Sequence, residues 1–416
     1  MKNTYTLEYG KGHVEFTINT AFEVLQTNDN NNKIDWDNKI EKSFSNPIDS
    51  PALSKIVLEE KPEKIVVIVN DITRPVQYDI VLQPMLDELL EVGVDKGSIT
   101  LLIATGMHRP MTEQEVEETL GKEIATQYHW INHNCDQDLV YYGQLSENVP
   151  LYVNSLVQEA DLLCAVGVIA PHYMAGYSGG RKSLLPGVCG RETIEAHHSL
   201  MRKPGSRTAH LKGNPFHQLT VEAAEKTGLR FISNIVVNSK NEPIDLVVGH
   251  WLKAWEKGVA VCHQNSVIEV DEAADIVIVS AGGYPKDINM YQSQKALENA
   301  SYCVKDGGMI LLVAECREGL GEEVFENWLN EASTPEYLEE KIQNVFELGG
   351  HKAYAVARVA ANSSIFLYSS LDDRMAQKTF MTPVESVDEF VNKYIDNNKK
   401  VYILPHGANT VPKKKE

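Results

Sequence analysis

The chain has 416 residues, of which 43% are hydrophobic and 23% are charged, and its formal net charge is −19. This length is long for one domain and comfortable for two, and the composition is typical of a globular protein with a substantial core. The negative charge argues against nucleic acid or an anionic membrane as a partner. A site for an anionic substrate would therefore need cations of its own.

Cysteine usage and the apolar runs indicate the cellular compartment. The six cysteines are scattered without a CxxC pair or metal-ligand spacing, which is typical of reduced thiols in the cytosol. The first residues, MKNTYTLEYGKGHVEF, contain no apolar signal segment, and the longest apolar run, Leu162–Ala170, is too short to span a bilayer. We expect a cytoplasmic protein without a membrane partner.

Apolar runs alternate with helical patterns through the first half of the chain. In chain order, the pattern predicts strand, helix, strand, helix and strand at Lys64–Asn70, Ile80–Glu91, Ser98–Ala104, Thr112–Leu120 and Asp161–Ile169. Continuous apolar strands separated by helices indicate a parallel sheet that is covered on both faces. The runs Arg230–Val237 and Pro243–Val248 flank the turn-like segment NSKNE, which predicts a hairpin.

A second series of strands and helices begins near residue 271. It predicts, in order, a strand, a helix and three strands at Asp275–Ser280, Gln292–Val304, Met309–Ala314, Ser364–Tyr368 and Lys400–Leu404. We therefore expect two α/β domains with mainly parallel sheets, residues 1–268 and residues 269–416. The active site is expected in the cleft between the domains.

Polar side chains follow the predicted strands at the points where they end. Asp71 and Arg74 come after the first strand, His108 after the second and His172 after the third, and the segment GGYPKD follows the first strand of the second domain. Open α/β sheets bind ligands beyond the carboxyl ends of their strands. The sequence therefore predicts a site at these strand ends.

The segment 170–190, APHYMAGYSGGRKSLLPGVCG, is too irregular for a helix. It suggests a phosphate loop, but a Walker A loop requires the lysine directly after the last glycine, whereas Arg181 separates Gly180 from Lys182. A glycine-rich loop can still bind a phosphate through backbone N–H groups. The pattern argues against an ATP-hydrolysing site and presents Lys182 as a lysine that can form a covalent bond once it is deprotonated.

Histidines and cations supply the remaining candidates. His108 and His172 both follow strand-end turns, which indicates an acid/base pair near neutral pH. His197 and His198 follow a helical stretch, where a histidine can be one metal ligand or an ordinary cap or core contact. The sequence has no HExxH motif and no Cys/His cluster, so other ligands of a metal would have to come from a cofactor. Arg74 and Lys295, in DITRP and YQSQK, could bind a carboxylate.

Together these motifs closely resemble the nickel-dependent lactate racemase family. The matching segments, which occur in both halves of the chain, are DITRP (71–75), ATGMHRP (104–110), the stretch from PH to LPGVCG (171–190), His198 and GGYPKDINMYQSQK (282–295). In that family a pyridinium mononucleotide bearing sulfur groups holds nickel and is tethered to a lysine through a thioamide. The resemblance also implies two α/β domains that flank the site.

The resemblance assigns a role to each candidate residue. Lys182 matches the tethering lysine, His198 the nickel ligand, and His108 and His172 the acid/base pair. The other matches are the cofactor-side residues Asp71, Ile72, Thr73 and Arg74 and the substrate-side residues Arg74, Tyr291, Gln292 and Lys295. The implied cofactor is Ni(II)-pyridinium-3,5-bisthiocarboxylate mononucleotide, the nickel-pincer nucleotide.

The implied reaction is racemisation or epimerisation of a 2-hydroxy acid, such as lactate or a related short-chain acid. It would proceed by reversible hydride transfer from C2 through a 2-keto acid. The implied partners are the small-molecule substrate and the proteins that build the cofactor and insert nickel, with no role for nucleic acid.

Two other interpretations stay open at this point. A metal-independent racemase or dehydratase could use His108 and His172 directly as two bases, and metal analysis would distinguish it. A non-catalytic nucleotide-binding protein with the same fold would turn over no hydroxy acid even with cofactor bound.

Overall fold

The computed structural model of the chain describes residues 3–26, 33–203, 205–238, 241–347 and 349–415. The chain forms two compact units. One unit, here called the central unit, contains Asn30–Gln264. The other, the terminal unit, combines Met1–Asp29 with Asn265–Glu416.

The strands of the described residues, in chain order, are β1 (Asn3–Tyr9), β2 (Gly12–Ile18), β3 (Glu23–Val24), β4 (Ile65–Asn70), β5 (Ile99–Ala104), β6 (His129–Asn132), β7 (Leu139–Gln144), β8 (Pro150–Asn154), β9 (Leu162–Ile169), β10 (Pro171–His172), β11 (Gly176–Tyr177), β12 (Leu229–Val237), β13 (Pro243–His250), β14 (Val267–Val270), β15 (Ala274–Ser280), β16 (Val304–Val313), β17 (Ser364–Tyr368), β18 (Thr382–Pro383), β19 (Val401–Leu404) and β20 (Val411–Lys414).

The α-helices are α1 (Trp36–Ser45), α2 (Leu53–Glu60), α3 (Tyr78–Val81), α4 (Gln83–Glu91), α5 (Glu113–Leu120), α6 (Lys122–Gln127), α7 (Ser155–Glu159), α8 (Arg191–Ser199), α9 (Pro215–Lys226), α10 (Lys253–Ser266), α11 (Met290–Ser301), α12 (Glu323–Glu331), α13 (Pro335–Asn344), α14 (Gly350–Ala360), α15 (Asp373–Lys378) and α16 (Val387–Tyr394). Short 3-10 helices lie at Lys96–Ser98, Ser146–Asn148, Gly180–Ser183 and Leu200–Arg202.

The central unit contains a six-stranded sheet in the order β13-β12-β9-β4-β5-β6. Its neighbouring strands are parallel except for β13, which is antiparallel to β12. The predicted hairpin strands therefore pair as expected, although Ser239 and Lys240 of the turn lie outside the described residues. Strand β4 is buried on both faces over Ile65–Val69, which explains its unbroken apolar sequence.

The terminal unit contains a second six-stranded sheet, in the order β18-β17-β16-β15-β19-β3, in which every pairing is parallel. Alternate residues of β15 point into separate cores. Val277 and Val279 pack into one core, and Ile276 and Ile278 pack into the other on the opposite face. Both units are thus mixed α/β structures dominated by parallel strands, and the predicted fold class is confirmed.

The structure differs from the predicted element and domain bounds in three places. Strands β1–β3 belong with the C-terminal half of the chain, because β3 pairs with β19 and the β1–β2 hairpin supplies Leu7 and Phe16 to the core of the terminal unit. Helix α11 begins at Met290, where the Asn289 side chain caps it, and Val304 already belongs to β16. The helix predicted at 80–91 is divided at Leu82 into α3 and α4.

Among the described residues, no helix combines the length and the apolar character that a membrane crossing requires.

Candidate active site

Three adjacent strands of the central unit bring the predicted site residues to one edge of the sheet. Strand β4 lies between β9 and β5 and runs parallel to both, so their carboxyl ends share that edge. Asp71 directly follows β4, His108 lies in the turn after β5, and His172 lies just beyond β9. The N–H of Gly106, in the β5 turn, donates to Gly187 O at 2.9 Å and joins this turn to the glycine-rich segment.

Asp71 orients His108. The Asp71 carboxyl is buried, and its Oδ2 lies 2.7 Å from Nδ1 of His108, while the Thr73 hydroxyl donates to its Oδ1 at 2.7 Å. Burial acts to raise the pKa of Asp71, but the hydrogen bonds from His108 and Thr73, with the charge of Arg74, bring it below its usual value. The ionised carboxylate accepts from Nδ1–H, so the neutral ring of His108 presents its lone pair on Nε2. Since the His108 side chain is 37% exposed, a substrate can reach it.

Arg74 and Ile72 lie on the same turn as Asp71 and are exposed. The Arg74 guanidinium donates through one nitrogen to Thr73 O at 3.0 Å and to Thr73 Oγ1 at 3.1 Å. These bonds hold the side chain against the turn, since both acceptors belong to the preceding residue. Arg74 is therefore a fixed cation beside the Asp71–His108 pair.

His172 is presented by a small hairpin that follows β9. Strands β10 and β11 pair His172 with Gly176, which has a φ of +75° and where a Cβ would lie only 2.5 Å from His210 O, so no other residue fits there. The backbone N–H groups of Met174 and Ala175 both donate to His172 Nδ1, at 3.2 Å each. Because Nδ1 is an acceptor, a neutral ring carries its proton on Nε2. That Nε2 lies 2.7 Å from Nζ of Lys182.

Buried Arg181 shapes the loop that carries Lys182, and sequence reasoning did not find this role. Its guanidinium donates to the carbonyl oxygens of Ala175, Tyr177 and Gly179 at 3.1–3.3 Å and lies over the Trp255 ring, 3.6 Å from its centre. Its Nε–H donates to His217 Nδ1 at 3.1 Å. The sequence feature that could have indicated this role is the run SGGRK, but an arginine in a glycine-rich loop is ordinarily exposed.

Glycines and an asparagine complete the loop. Gly179 and Gly180 have φ of +75° and +52°, and a Cβ on Gly180 would lie 2.9 Å from the Trp255 ring. The N–H of Gly180 donates to the buried side chain of Asn234, on β12, at 2.8 Å. The loop is thus attached both to the sheet and to Trp255, with Lys182 directed to His172.

The Phe216 ring, on α9, lies close to His172, His198 and Lys182 and also to His197. The buried Phe216 ring lies 6.5 Å from His172, 5.4 Å from His198 and 3.7 Å from His197, measured between ring centres. Nζ of Lys182 lies 5.9 Å from the centre of the same ring. No sequence pattern marked Phe216, because it reaches this position through the packing of α8 against α9.

The two adjacent histidines of α8 differ in what they can bind. His197 is fully buried and its Nε2–H donates to Phe216 O at 2.9 Å, which is a core contact. His198 instead donates from Nδ1–H to Ile194 O at 2.8 Å, so the neutral ring carries a lone pair on Nε2. A backbone acceptor on one imidazole nitrogen is the usual arrangement for a metal-binding histidine. Burial lowers the pKa of His198 to about 4, which keeps the ring neutral.

Positive charge concentrates around Lys182. Burial, and then the charges of Arg74 and Arg181, lower the pKa of Lys182 well below its usual range. Burial and the neighbouring cations Arg74 and Arg181 likewise lower the pKa of His172. Among these residues the single carboxylate, Asp71, is already bonded to His108 and Thr73, so the cluster suits an anionic ligand.

The remaining predicted residues lie in the terminal unit. Tyr291, Gln292 and Lys295 occupy the first turns of α11, where Lys295 Nζ donates to Gln292 Oε1 at 3.2 Å. Tyr291 packs edge-on against Phe325, with ring centres 5.6 Å apart, and its carbonyl accepts from Lys352 Nζ at 2.6 Å. Within the described part of the chain, no group of three or more His, Cys, Asp or Glu side chains could hold a metal ion.

Family comparisons agree with these motifs. Residues 9–209 match the lactate racemase N-terminal domain, and residues 269–411 match the lactate racemase C-terminal domain. The lactate racemase of Thermoanaerobacterium thermosaccharolyticum is 32% identical over 98% of this chain and 99% of its own length. The lactate racemase of Lactiplantibacillus plantarum is 34% identical over 92% of each chain.

Solved structures extend the likeness to the fold. The lactate racemase apoprotein of Thermoanaerobacterium thermosaccharolyticum superposes with a TM-score of 0.90 at 31% identity, over 100% of both chains. A protein from Thermotoga maritima shares the fold, with a TM-score of 0.63 at 21% identity over 91% of this chain and 98% of its own. The chain therefore belongs to the lactate racemase family and is an isomerase.

Proposed function

We propose that the protein racemises a short-chain 2-hydroxy acid, with lactate as the first candidate, using a nickel-pincer nucleotide tethered to Lys182. The observation that carries this proposal is a pair of histidines whose hydrogen-bond partners assign them complementary tautomers. His108 presents a lone pair on Nε2 because Asp71 occupies Nδ1, and His172 presents Nε2–H because backbone N–H groups occupy its Nδ1. One ring can accept a proton and the other can donate one.

The residues of the site fit the proposed cofactor. His198 offers an imidazole lone pair, which is a suitable nickel ligand, and the Ile194 carbonyl fixes its tautomer. Lys182 supplies a primary amine for a thioamide bond, and Arg74 contributes positive charge for an anionic nucleotide. When bound, the nickel-pincer pyridinium would supply an electrophilic carbon that takes up hydride from C2 of the substrate.

The chain's own residues would bind the substrate and move its hydroxyl proton. Arg74 presents a planar fork that suits the substrate carboxylate, and Gln292 and Lys295 are proposed as further polar contacts on the substrate side. His108 Nε2 would take the hydroxyl proton of one enantiomer while Asp71 stabilises the resulting imidazolium. His172 would return a proton to the oxygen of the planar keto acid when the opposite enantiomer forms, and the two rings exchange roles in the reverse direction.

Ile72 and Thr73 are proposed to act through the Asp71 turn. Thr73 stabilises the Asp71 carboxylate, since its hydroxyl donates to Oδ1. Exposed Ile72 offers an apolar contact to a cofactor ring. We place Tyr291 on the substrate side by its match to the family motif.

The setting of the enzyme follows from the same proposal. All six cysteines are buried and none forms a disulfide, which supports the proposal of a reducing cytoplasmic compartment. The proposed partners, which the family resemblance implies, are the proteins that build the nucleotide and insert nickel.

Chiral chromatography of enantiopure 2-hydroxy acids, incubated with cofactor-loaded enzyme, would test the function. The proposal expects each lactate enantiomer to give the racemic mixture, with a chain-length preference read from kcat/KM. Racemisation by nickel-free protein at the same rate would favour the metal-independent two-base enzyme. The absence of turnover with every acid would favour a nucleotide-binding protein.

A further inference from the structure

The contact between His172 and Lys182 defines the protonation of both groups. Two backbone N–H groups, from Met174 and Ala175, point at His172 Nδ1, which must therefore carry a lone pair. The ring proton then lies on Nε2, 2.7 Å from Lys182 Nζ, so the imidazole is the donor in this contact. A lysine nitrogen can accept a hydrogen bond only as the neutral amine, because the ammonium form has no lone pair.

We propose that His172 holds Lys182 as a neutral, nucleophilic amine that is primed to attack an activated acyl or thioacyl group. His172 would thus be a positioning residue for cofactor attachment before it takes part in turnover. The inference rests on the proposed role of Lys182 as the tether. It adds a function for His172 that acts on the lysine and not on the substrate.

Arg181 directs the amine to this position. Its guanidinium binds the carbonyls of Ala175, Tyr177 and Gly179, which fixes the segment that connects His172 with Lys182. The amine contacts the His172 ring and lies 5.9 Å from the centre of the Phe216 ring, and the titratable groups that interact with it electrostatically are Arg74, Arg181 and His198. Cations around a lysine favour its neutral form.

The acylation step balances without a further oxidant or reductant. The Nζ lone pair forms a bond to the carbon of the activated acyl group, and the bond from that carbon to its leaving group breaks with its electron pair. The leaving group then takes the surplus proton from the nitrogen. The product nitrogen is an amide or thioamide nitrogen, whose lone pair is delocalised and no longer accepts hydrogen bonds. Tethering therefore releases the Nε2–H of His172 for the substrate oxygen.

Competitive acylation of cofactor-free protein with trace acetic anhydride at about pH 7 tests the protonation of Lys182. Peptide mass spectrometry would compare Lys182 with Lys257, an exposed lysine of the central unit. An ordinary lysine with a pKa of about 10.4 is neutral in only about one molecule in 2,500 at this pH. We expect Lys182 to react about tenfold faster or more, even though its side chain is half-buried. A Lys182 rate equal to or below that of Lys257 would overturn the proposal.

Two variants distinguish the effect of His172 on the protonation of Lys182 from the effect of burial. The carboxylate in His172→Glu can only accept, so it would hold Lys182 as an ammonium and lower its acylation by about tenfold or more. Exposed His129, on β6, provides the control variant His129→Glu, which should leave the ratio of Lys182 acylation to Lys257 acylation unchanged. Unaltered Lys182 acylation in a folded His172→Glu protein would exclude His172 as the residue that keeps the amine neutral.

A spectroscopic measurement covers the case in which the variant does not fold. In wild-type protein labelled with ¹⁵N at lysine side chains, the signal lost in Lys182→Arg identifies Nζ. We expect the chemical shift of an amine, and the shift of an ammonium would overturn the proposal. The acylation rate and the ¹⁵N chemical shift are both independent of turnover.

The outcomes distinguish this inference from the proposed function. A reactive Lys182 that never carries cofactor would contradict the proposed function alone, whereas a tethered but unreactive Lys182 would contradict this inference alone.

Discussion

Asp71 Oδ2 and His108 Nδ1 lie 2.7 Å apart, on turns that follow two adjacent strands of one parallel sheet. The Asp71 carboxylate fixes the tautomer of His108. The substitution Asp71→Asn should therefore weaken His108 as a base without removing the imidazole. We expect kcat to fall by about a hundredfold, with the KM for lactate changed much less. Steady-state kinetics would measure this, with Asp79→Asn, an exposed carboxyl on α3, as the control. A kcat within about twofold of wild type would show that Asp71 does not orient the base.

The same carboxyl predicts a pH dependence of stability. The folded-state pKa of Asp71 lies below its usual value of about 3.9. Its stabilisation is therefore complete above that value and is lost as pH falls through the lower folded pKa. The difference in Tm between wild type and Asp71→Asn should be largest near neutral pH and shrink below about pH 4. A difference that stays constant over this range would contradict the assignment of a lowered pKa.

Lys182→Ala should abolish covalent attachment of the cofactor and leave the fold intact, because Arg181 and not Lys182 holds the loop carbonyls. Intact-protein mass spectrometry would measure the adduct, and circular dichroism the fold. Lys257→Ala should retain the adduct. An adduct that persists on Lys182→Ala would place the tether elsewhere.

His198→Ala and His197→Ala should have different consequences. The first removes the lone pair proposed for nickel, so metal content and activity should fall while the Tm changes little. The second removes a buried ring packed 3.7 Å from Phe216, centre to centre, and should cost about 2–4 kcal/mol of unfolding free energy. Metal analysis and thermal unfolding would measure both. Nickel loss confined to His197→Ala would move the ligand assignment by one residue.

Arg74→Lys keeps the positive charge and loses the planar fork. If Arg74 binds the substrate carboxylate, kcat/KM should fall by about 10–100-fold, equivalent to one strong charged hydrogen bond. Arg109→Lys is the matched control, because Arg109 is exposed and paired with Glu115. Wild-type kinetics in Arg74→Lys would remove Arg74 from the substrate site.

The sequence allowed the strand ends to be predicted, because β4, β5 and β9 are continuous apolar runs and Asp71, His108 and His172 follow them closely. It did not reveal Arg181 or Phe216, whose roles depend on contacts with Trp255 and α8 that no local pattern encodes. The packing of strands β1–β3 with the C-terminal half of the chain was also missed. The short strand β3 joins a sheet whose other strands lie hundreds of residues later in the chain. Pairing between strands so far apart leaves no periodic pattern in the sequence.

The most direct test of the account is the fate of the C2 hydrogen of lactate. A hydrogen that moves as a proton through His108 or His172 would exchange with water, whereas a hydrogen that moves as hydride does not exchange. Lactate deuterated at C2, converted by cofactor-loaded enzyme in ordinary water, should therefore give its enantiomer with most of the deuterium retained, as measured by mass spectrometry after chiral separation. Complete loss of deuterium from the product would contradict the account and favour two-base proton transfer.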